Sequence, residues 1–215
     1  MPPVPHVEAA ALAGMISPRE CALLVIDVQA DFAAPDGAMA RAGADMSGVA
    51  PALDRIEALV AAARAAGAAV AFARVVTWPG EDSRALKLLH ERKGEPPGAI
   101  GVCRAGAPGA ADYRVAPQPG DVVVEKRLYN AFHGTDLEAQ LRRRGVETLV
   151  VAGFSTHCCV DATVRDAFHR DFNVFVVSDA TDSYSTDAHW ATLRALRASC
   201  ALVTDTDAVL TAWRS

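Results

Sequence analysis

An apolar run that leads into two adjacent cysteines occupies residues 150–160 and reads Val-Val-Ala-Gly-Phe-Ser-Thr-His-Cys-Cys-Val. It begins as an apolar run of strand type, breaks at Gly153, and places Cys158 and Cys159 where a helix over residues 161–172 is predicted to start. The apolar face of that helix would consist of Val160, Val164, Ala167 and Phe168. A thiol at the first turn of a helix lies at the positive end of the helix dipole, which lowers its pKa and favours the thiolate. Free backbone N–H groups there can hold an oxyanion, so one of the two cysteines is a candidate nucleophile.

Apolar runs elsewhere predict five more strands, and helical patterns lie between them. The predicted strands cover residues 21–28, 68–76, 121–126, 147–152, 172–178 and 200–204. The predicted helices cover residues 51–67, 84–92, 135–144, 161–172, 186–199 and 207–213. Strands that alternate with helices indicate an α/β protein with a three-layer, doubly wound, mainly parallel six-stranded sheet and helices on both faces.

Composition narrows the class of protein. The chain has 215 residues, of which 51% are hydrophobic and 22% charged, which suits a single domain over residues 1–215 with a large core. Within it, residues 1–20 are expected to be an N-terminal arm. The proline-rich residues 78–120 are expected to be an irregular excursion that serves as a binding loop or a subunit contact.

Charge and cysteine usage bear on partners and compartment. The formal net charge is −5 with no long basic run, which disfavours a nucleic-acid partner. The chain lacks both an 18-residue apolar run and a signal-peptide pattern, so no membrane partner is expected. Five cysteines without a C-x-x-C pair favour reduced thiols and a cytoplasmic location.

Three chemically capable groups are predicted to meet at one edge of the sheet. Asp27 ends the first strand, Lys126 ends the third, and the Cys158-Cys159 turn follows the fourth. Ligands bind beyond the carboxyl ends of parallel strands, so the three groups would face one site. Taken singly, each has a simpler interpretation, since a strand-end Asp is often a turn residue, a strand-end Lys a surface charge, and a buried Cys a small hydrophobe. Together, Asp27 could act as a general base and Lys126 could stabilise both anions.

Three segments in order resemble the isochorismatase-like cysteine hydrolases, a family that includes nicotinamidases, N-carbamoylsarcosine amidase and ureidoacrylate-type amidohydrolases. The segments are Asp-Val-Gln-Ala-Asp-Phe at 27–32, Lys-Arg-Leu-Tyr-Asn-Ala-Phe at 126–132 and Gly-Phe-Ser-Thr-His-Cys-Cys-Val at 153–160. The resemblance extends over residues 20–205 and implies the isochorismatase-like fold.

The resemblance also implies site residues. The family triad of Asp, Lys and Cys maps onto Asp27, Lys126 and Cys159, which leaves Cys158 as a packing residue. A cis peptide bond is implied between Phe154 and Ser155, and the N–H groups of Ser155 and Cys159 would form the oxyanion hole. Family members are commonly dimers or tetramers, so a homodimer or homotetramer is expected.

The implied reaction is metal-independent hydrolysis of a C–N bond in a small-molecule amide, ureido or carbamoyl substrate, through a thioester intermediate. No spacing of His and Asp suits a metal site, so no metal or other cofactor is expected. The side chains expected to contact substrate are Phe32, Gln29, Trp78, Tyr129, Phe132, Phe154 and His157. Arg74 would pair either with a substrate carboxylate or with a protein acid. His157 would point either into the pocket or to solvent.

Two alternative functions stay open. One is vinyl-ether or ester hydrolysis on the same scaffold, although family members that cleave vinyl ethers lack the nucleophilic cysteine. The other is a non-catalytic module that binds a small ligand, in which Asp27, Lys126 and Cys159 would have no reason to occur together.

Overall fold

The structure is a computed structural model, and it describes residues 4–95 and 100–214. The strands are β1 Cys21–Ile26, β2 Ala69–Val75, β3 Val122–Lys126, β4 Thr148–Phe154, β5 Asn173–Asp182 and β6 Leu202–Thr204. The α-helices in these ranges are α1 Ala9–Leu12, α2 Ala30–Ala33, α3 Ala38–Arg41, α4 Val49–Ala66, α5 Arg84–Arg92, α6 Leu137–Arg142, α7 Asp161–His169, α8 Thr186–Ser199 and α9 Thr206–Arg214. A 3₁₀ turn covers Pro108–Ala110, and a π-helical turn covers Thr156–Val160.

The six strands form one parallel sheet in the order β3-β2-β1-β4-β5-β6. The chain moves outward from β1 to β3, returns to the centre at β4, and then moves outward to β6. The strand order therefore reverses between β1 and β4, and a parallel sheet binds its ligands at such a reversal. The predicted doubly wound parallel sheet is confirmed.

Both faces of the sheet are covered, which explains why β1 and β4 are apolar at successive positions. Every residue of these two strands is buried. Along β1, Leu23 and Val25 face a core shared with α1, α4 and α9, whereas Leu24 and Ile26 face a core shared with α6, α7 and α8. The alternation of side chains along a strand thus builds two hydrophobic layers from one run.

Helix α4 follows the predicted signals closely. It spans Val49–Ala66, and Gly67 ends it in the left-handed conformation with φ of 75°. A Gly is favoured there because it adopts positive φ without a steric penalty. Ile56 and Leu59 are fully buried on its sheet-facing side, as the periodicity predicted.

The helix after the cysteines differs from the prediction. Both cysteines lie in a π-helical turn. Helix α7 begins at Asp161, the predicted first residue, and ends at His169, three residues before the predicted end. Phe168 is 50% exposed, so its assignment to the apolar face was wrong. Val164 and Ala167 fill the core on that face, and Phe168 lies one position beyond it.

Strand β4 approaches β1 unusually closely at its carboxyl end. Gly153 has φ of 121°, and a Cβ atom added there would lie 2.0 Å from the Ile26 carbonyl oxygen. The pairing of β4 with β5 also changes register between Val151 and Gly153. Only Gly fits this position, and its presence brings the turn after β4 beside the end of β1.

The terminal and excursion segments have structure of their own. The N-terminal arm contains α1, and the Ile16 carbonyl accepts a hydrogen bond from the Trp213 ring at 3.1 Å. The excursion contains α5 and the 3₁₀ turn. Residues 1–3 of the predicted arm and residues 96–99 of the predicted excursion lie outside the described ranges. Within those ranges, no helix is both long and apolar enough to cross a membrane.

Candidate active site

A buried ion pair links the ends of β1 and β3. Lys126 Nζ donates to Asp27 Oδ2 at 2.6 Å, and both side chains are 0% exposed. A second donation, to the Leu128 carbonyl at 3.0 Å, fixes the ammonium group. Asp27 has φ of 52°, a left-handed conformation that costs a non-glycine residue about 1–3 kcal/mol and that Asp tolerates better than most. Its other oxygen, Oδ1, is buried and has no hydrogen-bond partner within the described residues.

The pair shifts the pKa of both members. Burial raises the pKa of Asp27 above its ordinary 3.8, while Lys126 and Cys159 oppose that rise. Burial alone would lower the pKa of Lys126, but the adjacent Asp27 carboxylate outweighs burial and raises it above 10.5. Lys126 therefore holds its proton more tightly than a free lysine, and Asp27 binds a proton more tightly than a free aspartate.

Cys159 lies next to this pair on the π-helical turn. It is 6% exposed and close enough to influence the pKa of both Asp27 and Lys126. The hydrogen bond with Cys158, burial and the Asp27 carboxylate raise the pKa of Cys159 well above 9.0. The expectation of a lowered pKa holds for Cys158 and not for Cys159, because the hydrogen bond between the two thiols lowers the pKa of Cys158 and raises that of Cys159. The resting group is a thiol that requires a base, and the carboxylate of Asp27 is beside it.

Hydrogen bonds to Ser155 and Ser183 hold the backbone of the cysteine turn. The Ser155 carbonyl accepts hydrogen bonds from the N–H groups of Cys158 at 3.1 Å and Val160 at 3.2 Å, and the His157 N–H group donates to Ser183 Oγ. The N–H groups of Ser155 and Cys159 are not among these donors. The peptide bond between Phe154 and Ser155 is cis.

Gln29 was expected to contact substrate, and the structure instead gives it a structural role. It is 0% exposed. Its amide accepts from the Val75 N–H group at 2.8 Å and donates to the carbonyls of Val75 at 2.8 Å and Ala110 at 2.9 Å. A side chain whose donors and acceptor are all used by backbone groups has nothing left for a ligand. Gln29 thus ties the end of β2 to the excursion.

Asp31, two residues on, anchors the excursion further. Its carboxylate accepts from the backbone N–H groups of Cys103 at 2.7 Å and Ala38 at 3.2 Å. A Cβ atom at Gly109 would lie 2.3 Å from that carboxylate, so a Gly is required where the loop crosses it. The motif residues that follow Asp27 therefore position the loop beside the site.

Phe132 and Phe154 were also expected to contact substrate, and both lie in the core instead. Phe154 is fully buried on the sheet face covered by α4. Phe132 is 4% exposed and stacks on Phe172 with 5.8 Å between ring centroids. Their place inside the motifs reflects packing behind the site.

Four predicted contact residues remain accessible. Phe32 and Trp78 are half-buried, and Tyr129 and His157 are exposed. Burial and the neighbouring thiols of Cys158 and Cys159 raise the pKa of Tyr129, which places its ring beside the cysteine turn. His157 is held at its Nδ1 atom by Ser183 Oγ at 3.0 Å.

Arg74 pairs with protein acids. Its guanidinium donates to Asp112 at 3.0 Å and to Glu125 at 2.8 Å. Of the two alternatives for this residue, the structure shows the internal ion pair. It joins β2 and β3 to the segment that follows the 3₁₀ turn.

Three residues at the site were not singled out from the sequence. Ser183 and Tyr184 follow β5, and His189 Nδ1 lies 2.9 Å from Thr156 Oγ1 in the cysteine turn. The signal for the first two is the polar run Asp-Ser-Tyr-Ser at residues 182–185, directly after an apolar strand. A polar run at the carboxyl end of a parallel strand is where ligand-site residues are expected.

Potential metal ligands do not cluster. No group of three or more His, Cys, Asp or Glu side chains suited to a metal ion occurs in residues 4–95 and 100–214. Metal independence stays a prediction for experiment.

Comparison with known proteins supplies the family. A family profile described as an isochorismatase domain matches residues 21–208. The ureidoacrylate amidohydrolase of Methylobacterium radiotolerans is 38% identical over 182 residues, which cover 77% of this chain and 68% of the relative. A cysteine hydrolase structure from Pseudomonas syringae pv. phaseolicola has a TM-score of 0.82 at 29% identity, and the match covers 93% of this chain and 94% of that chain.

A more distant structure agrees. The nicotinamidase/pyrazinamidase of Bacillus subtilis has a TM-score of 0.71 at 28% identity, and the match covers 86% of this chain and 100% of that chain. The family predicted from the three motifs is confirmed. The chain belongs to the isochorismatase family, and it is a hydrolase of that family.

Proposed function

We propose that the protein is a metal-independent cysteine amidohydrolase that cleaves a C–N bond of a small amide, ureido or carbamoyl compound through a thioester. The observation that carries this proposal is the fully buried Asp27–Lys126 pair, with 2.6 Å between Nζ and Oδ2, beside the Cys159 thiol. The name of the similar ureidoacrylate amidohydrolase supports a ureido substrate class.

Asp27 is the proposed general base. The pKa values of Asp27 and Cys159 are both raised, and we propose that the reaction starts from the Cys159 thiol beside the Asp27 carboxylate that Lys126 stabilises. Asp27 Oδ1 is the acceptor of the thiol proton in our proposal, because no other described group donates to it. Lys126 keeps its charge throughout and stabilises whichever of the two groups is anionic.

The reaction then proceeds in two halves. The thiolate of Cys159 attacks the carbonyl carbon, a C–S bond forms, and the carbonyl π electrons move onto oxygen. The N–H groups of Ser155 and Cys159 are the proposed donors to this oxyanion. When the tetrahedral intermediate collapses, the C–N bond breaks and Asp27 returns its proton to the leaving nitrogen. Water then attacks the thioester with Asp27 again as base, which releases the acid and restores the thiol.

A binding module without turnover explains the pair less well. Removing two charges from water costs several kcal/mol per ion, on the order of what their attraction returns. A silent domain would gain little from such a pair beside a thiol, whereas a nucleophile gains a base and a cation. Ester cleavage by the same residues is chemically allowed, and the assay below includes it.

A screen of substrates tests the proposal. Ammonia release is measured over ureido acids, carbamoyl amino acids, nicotinamide, biuret and maleamate, with simple esters followed by acid release. We expect turnover of at least one nitrogen compound, which Cys159→Ala abolishes and a chelator leaves unchanged. Cys200→Ala is the matched control, because Cys200 is a partly exposed thiol at the far end of helix α8. Absence of turnover throughout the screen, or turnover that survives Cys159→Ala, would overturn the proposal.

Iodoacetamide labelling provides a second test. We expect Cys159 to be alkylated near neutral pH faster than Cys21, which is buried and whose pKa burial raises to about 12. Cys159 as inert as Cys21 would contradict the role assigned to Asp27.

A further inference from the structure

Three consecutive residues at the end of β5 contact three different segments of the chain. A Cβ atom at Gly48, the residue before α4, would lie 2.5 Å from Asp182 Oδ1, so the Asp182 carboxylate packs directly against that backbone. The hydroxyl of Ser183 bonds to the cysteine turn, and the hydroxyl of Tyr184 bonds to α2, the short helix after β1. We call residues 182–184 the β5 bracket.

The contact with the cysteine turn is made by a buried hydroxyl. Ser183 is 2% exposed, and its Oγ accepts the His157 N–H group at 3.1 Å while lying 3.0 Å from His157 Nδ1. His157 is the second residue of the π-helical turn, and Cys159 is the fourth. A turn held at this point keeps the direction of its remaining N–H groups, among them that of Cys159.

The contact with the Asp27 side of the site is made by a phenol. Tyr184 Oη donates to the Phe32 carbonyl at 2.9 Å, across 152 residues of sequence. Phe32 in turn donates its N–H group to the Gln29 carbonyl at 3.0 Å, so the bond fixes the helical turn that begins two residues after Asp27. Burial, followed by the charges of Asp182, Asp27 and Cys159, raises the pKa of Tyr184, which agrees with a ring that lies near the reacting groups.

The backbone of the β5 bracket forms a tight turn at Tyr184. Tyr184 has φ of 57°, which is uncommon for a bulky residue. Its N–H group donates to Asp182 Oδ2 at 3.2 Å, which closes the turn. The conformation directs two adjacent side chains to two different elements, one after β4 and one after β1.

We infer that the β5 bracket is a positioning element of the active site, in which Ser183 aligns the Cys159 turn and Tyr184 aligns the loop beside Asp27. Neither side chain takes part in bond making. The bracket sets the geometry between nucleophile and base, which belong to different strands. The inference rests on the proposed function for its kinetic readout and on thiol reactivity for an independent one.

The test removes one hydroxyl at a time. In Ser183→Ala and Tyr184→Phe, we expect kcat to fall by about 10- to 100-fold with a smaller change in KM, because a misplacement on the order of 1 Å costs about that much. Ser183→Thr retains a hydroxyl and should recover most of the loss. The alkylation rate of Cys159 at neutral pH, read by peptide mass spectrometry, should fall in the same two variants.

Two matched variants control for lost stability. Ser178→Ala removes a buried hydroxyl from β5, the strand that precedes Ser183. This hydroxyl bonds to a different histidine, His6, at 3.2 Å. Tyr113→Phe removes a phenol from a ring that packs on the same core as Tyr184. Both controls should keep the kcat and the Cys159 alkylation rate of the unmodified protein, and thermal midpoints should match within each pair.

These outcomes separate the positioning role of the β5 bracket from the proposed function. If Ser183→Ala and Tyr184→Phe change neither kcat nor alkylation more than their controls do, the bracket has no positioning role. If the unmodified protein turns over no compound in the screen, the proposed function fails, and the alkylation rates still decide about the bracket.

Discussion

Replacing Lys126 with Met should leave the buried Asp27 carboxylate without its partner cation, and the resulting loss of stability should depend on pH. Met keeps most of the side-chain volume and removes the charge. With 2.6 Å between Nζ and Oδ2 and an effective dielectric constant of about 20, the attraction between the charges is about 6 kcal/mol. Desolvation of both ions offsets part of it, and removing one partner of a buried pair typically costs about 3–5 kcal/mol. For a chain of this size that corresponds to a fall in Tm of about 6–20 °C.

The pH dependence follows from the sign of the two shifts. The pKa of Asp27 is raised in the folded state, so its contribution to stability is fully present below 3.8 and is lost as the pH rises through the folded value. The pKa of Lys126 is also raised, and its contribution is fully present below 10.5 and is lost as the pH rises above that value. In Lys126→Met the lysine contribution is gone. Without the cation, the pKa of the Asp27 carboxyl rises further, so its ionisation costs more free energy as the pH rises.

The assay is denaturant unfolding of both proteins at two pH values. We expect the difference in unfolding free energy to be larger at about pH 8 than at about pH 5. The double variant Lys126→Met with Asp27→Asn should regain stability at the higher pH, and Asn is chosen because it tolerates the φ of 52° at position 27. A loss below about 1 kcal/mol at the higher pH, the range of a solvated pair, would refute the burial argument. So would an equal loss at both pH values.

Three further predictions concern the base, the sheet and Arg74. The pH profile of kcat/KM should fall on the acid side with an apparent pKa above 3.8, because Asp27 must be ionised to accept the thiol proton. A value of kcat/KM that stays constant below pH 3.8 would exclude Asp27 as the base. Gly153→Ala should lower the unfolding free energy by more than about 3 kcal/mol by denaturant titration, because its Cβ would lie 2.0 Å from the Ile26 oxygen in a strained backbone; unchanged stability would show that β4 can move away from β1. Arg74→Met should lower Tm by a few degrees while leaving KM within about 3-fold, because both acids that it contacts are protein groups, and a large rise in KM would restore its role in binding a substrate carboxylate.

The sequence was sufficient for the sheet and for the meeting of Asp27, Lys126 and Cys159 at one edge of it, because both depend on strand ends. Runs of apolar residues bounded by Asp27 or Lys126 mark where buried parallel strands leave the core, and parallel strands bring those ends together. Helix α8 was predicted at its observed bounds, Thr186–Ser199, and the structure shows the Ser185 side chain capping its first turn by accepting from the Ala188 N–H group.

The parts that failed share a physical reason, which is that a motif does not reveal the direction of a side chain. Phe154 ends a strand that is buried on both faces, so its ring could pack in either hydrophobic layer. It packs in the layer covered by α4. Gln29 carries an amide suited to a ligand, and backbone groups of Val75 and Ala110 bond to it instead. The pKa of Cys159 is raised by the hydrogen bond with Cys158, by burial and by the Asp27 carboxylate, and the last two are not local in sequence. Ser183 and Tyr184 act through contacts 26 and 152 residues away.

The central claim is that Cys159 forms a covalent thioester during turnover, and direct detection of that intermediate is its sharpest test. A reaction on the best compound of the screen would be quenched in acid within one turnover, digested, and analysed by peptide mass spectrometry. We predict that the peptide containing Cys159 gains the mass of the acyl group. This gain should be absent in Cys159→Ala and present in Cys200→Ala. An acyl group on Cys158 or any other residue, or steady turnover by Cys159→Ala, would contradict it.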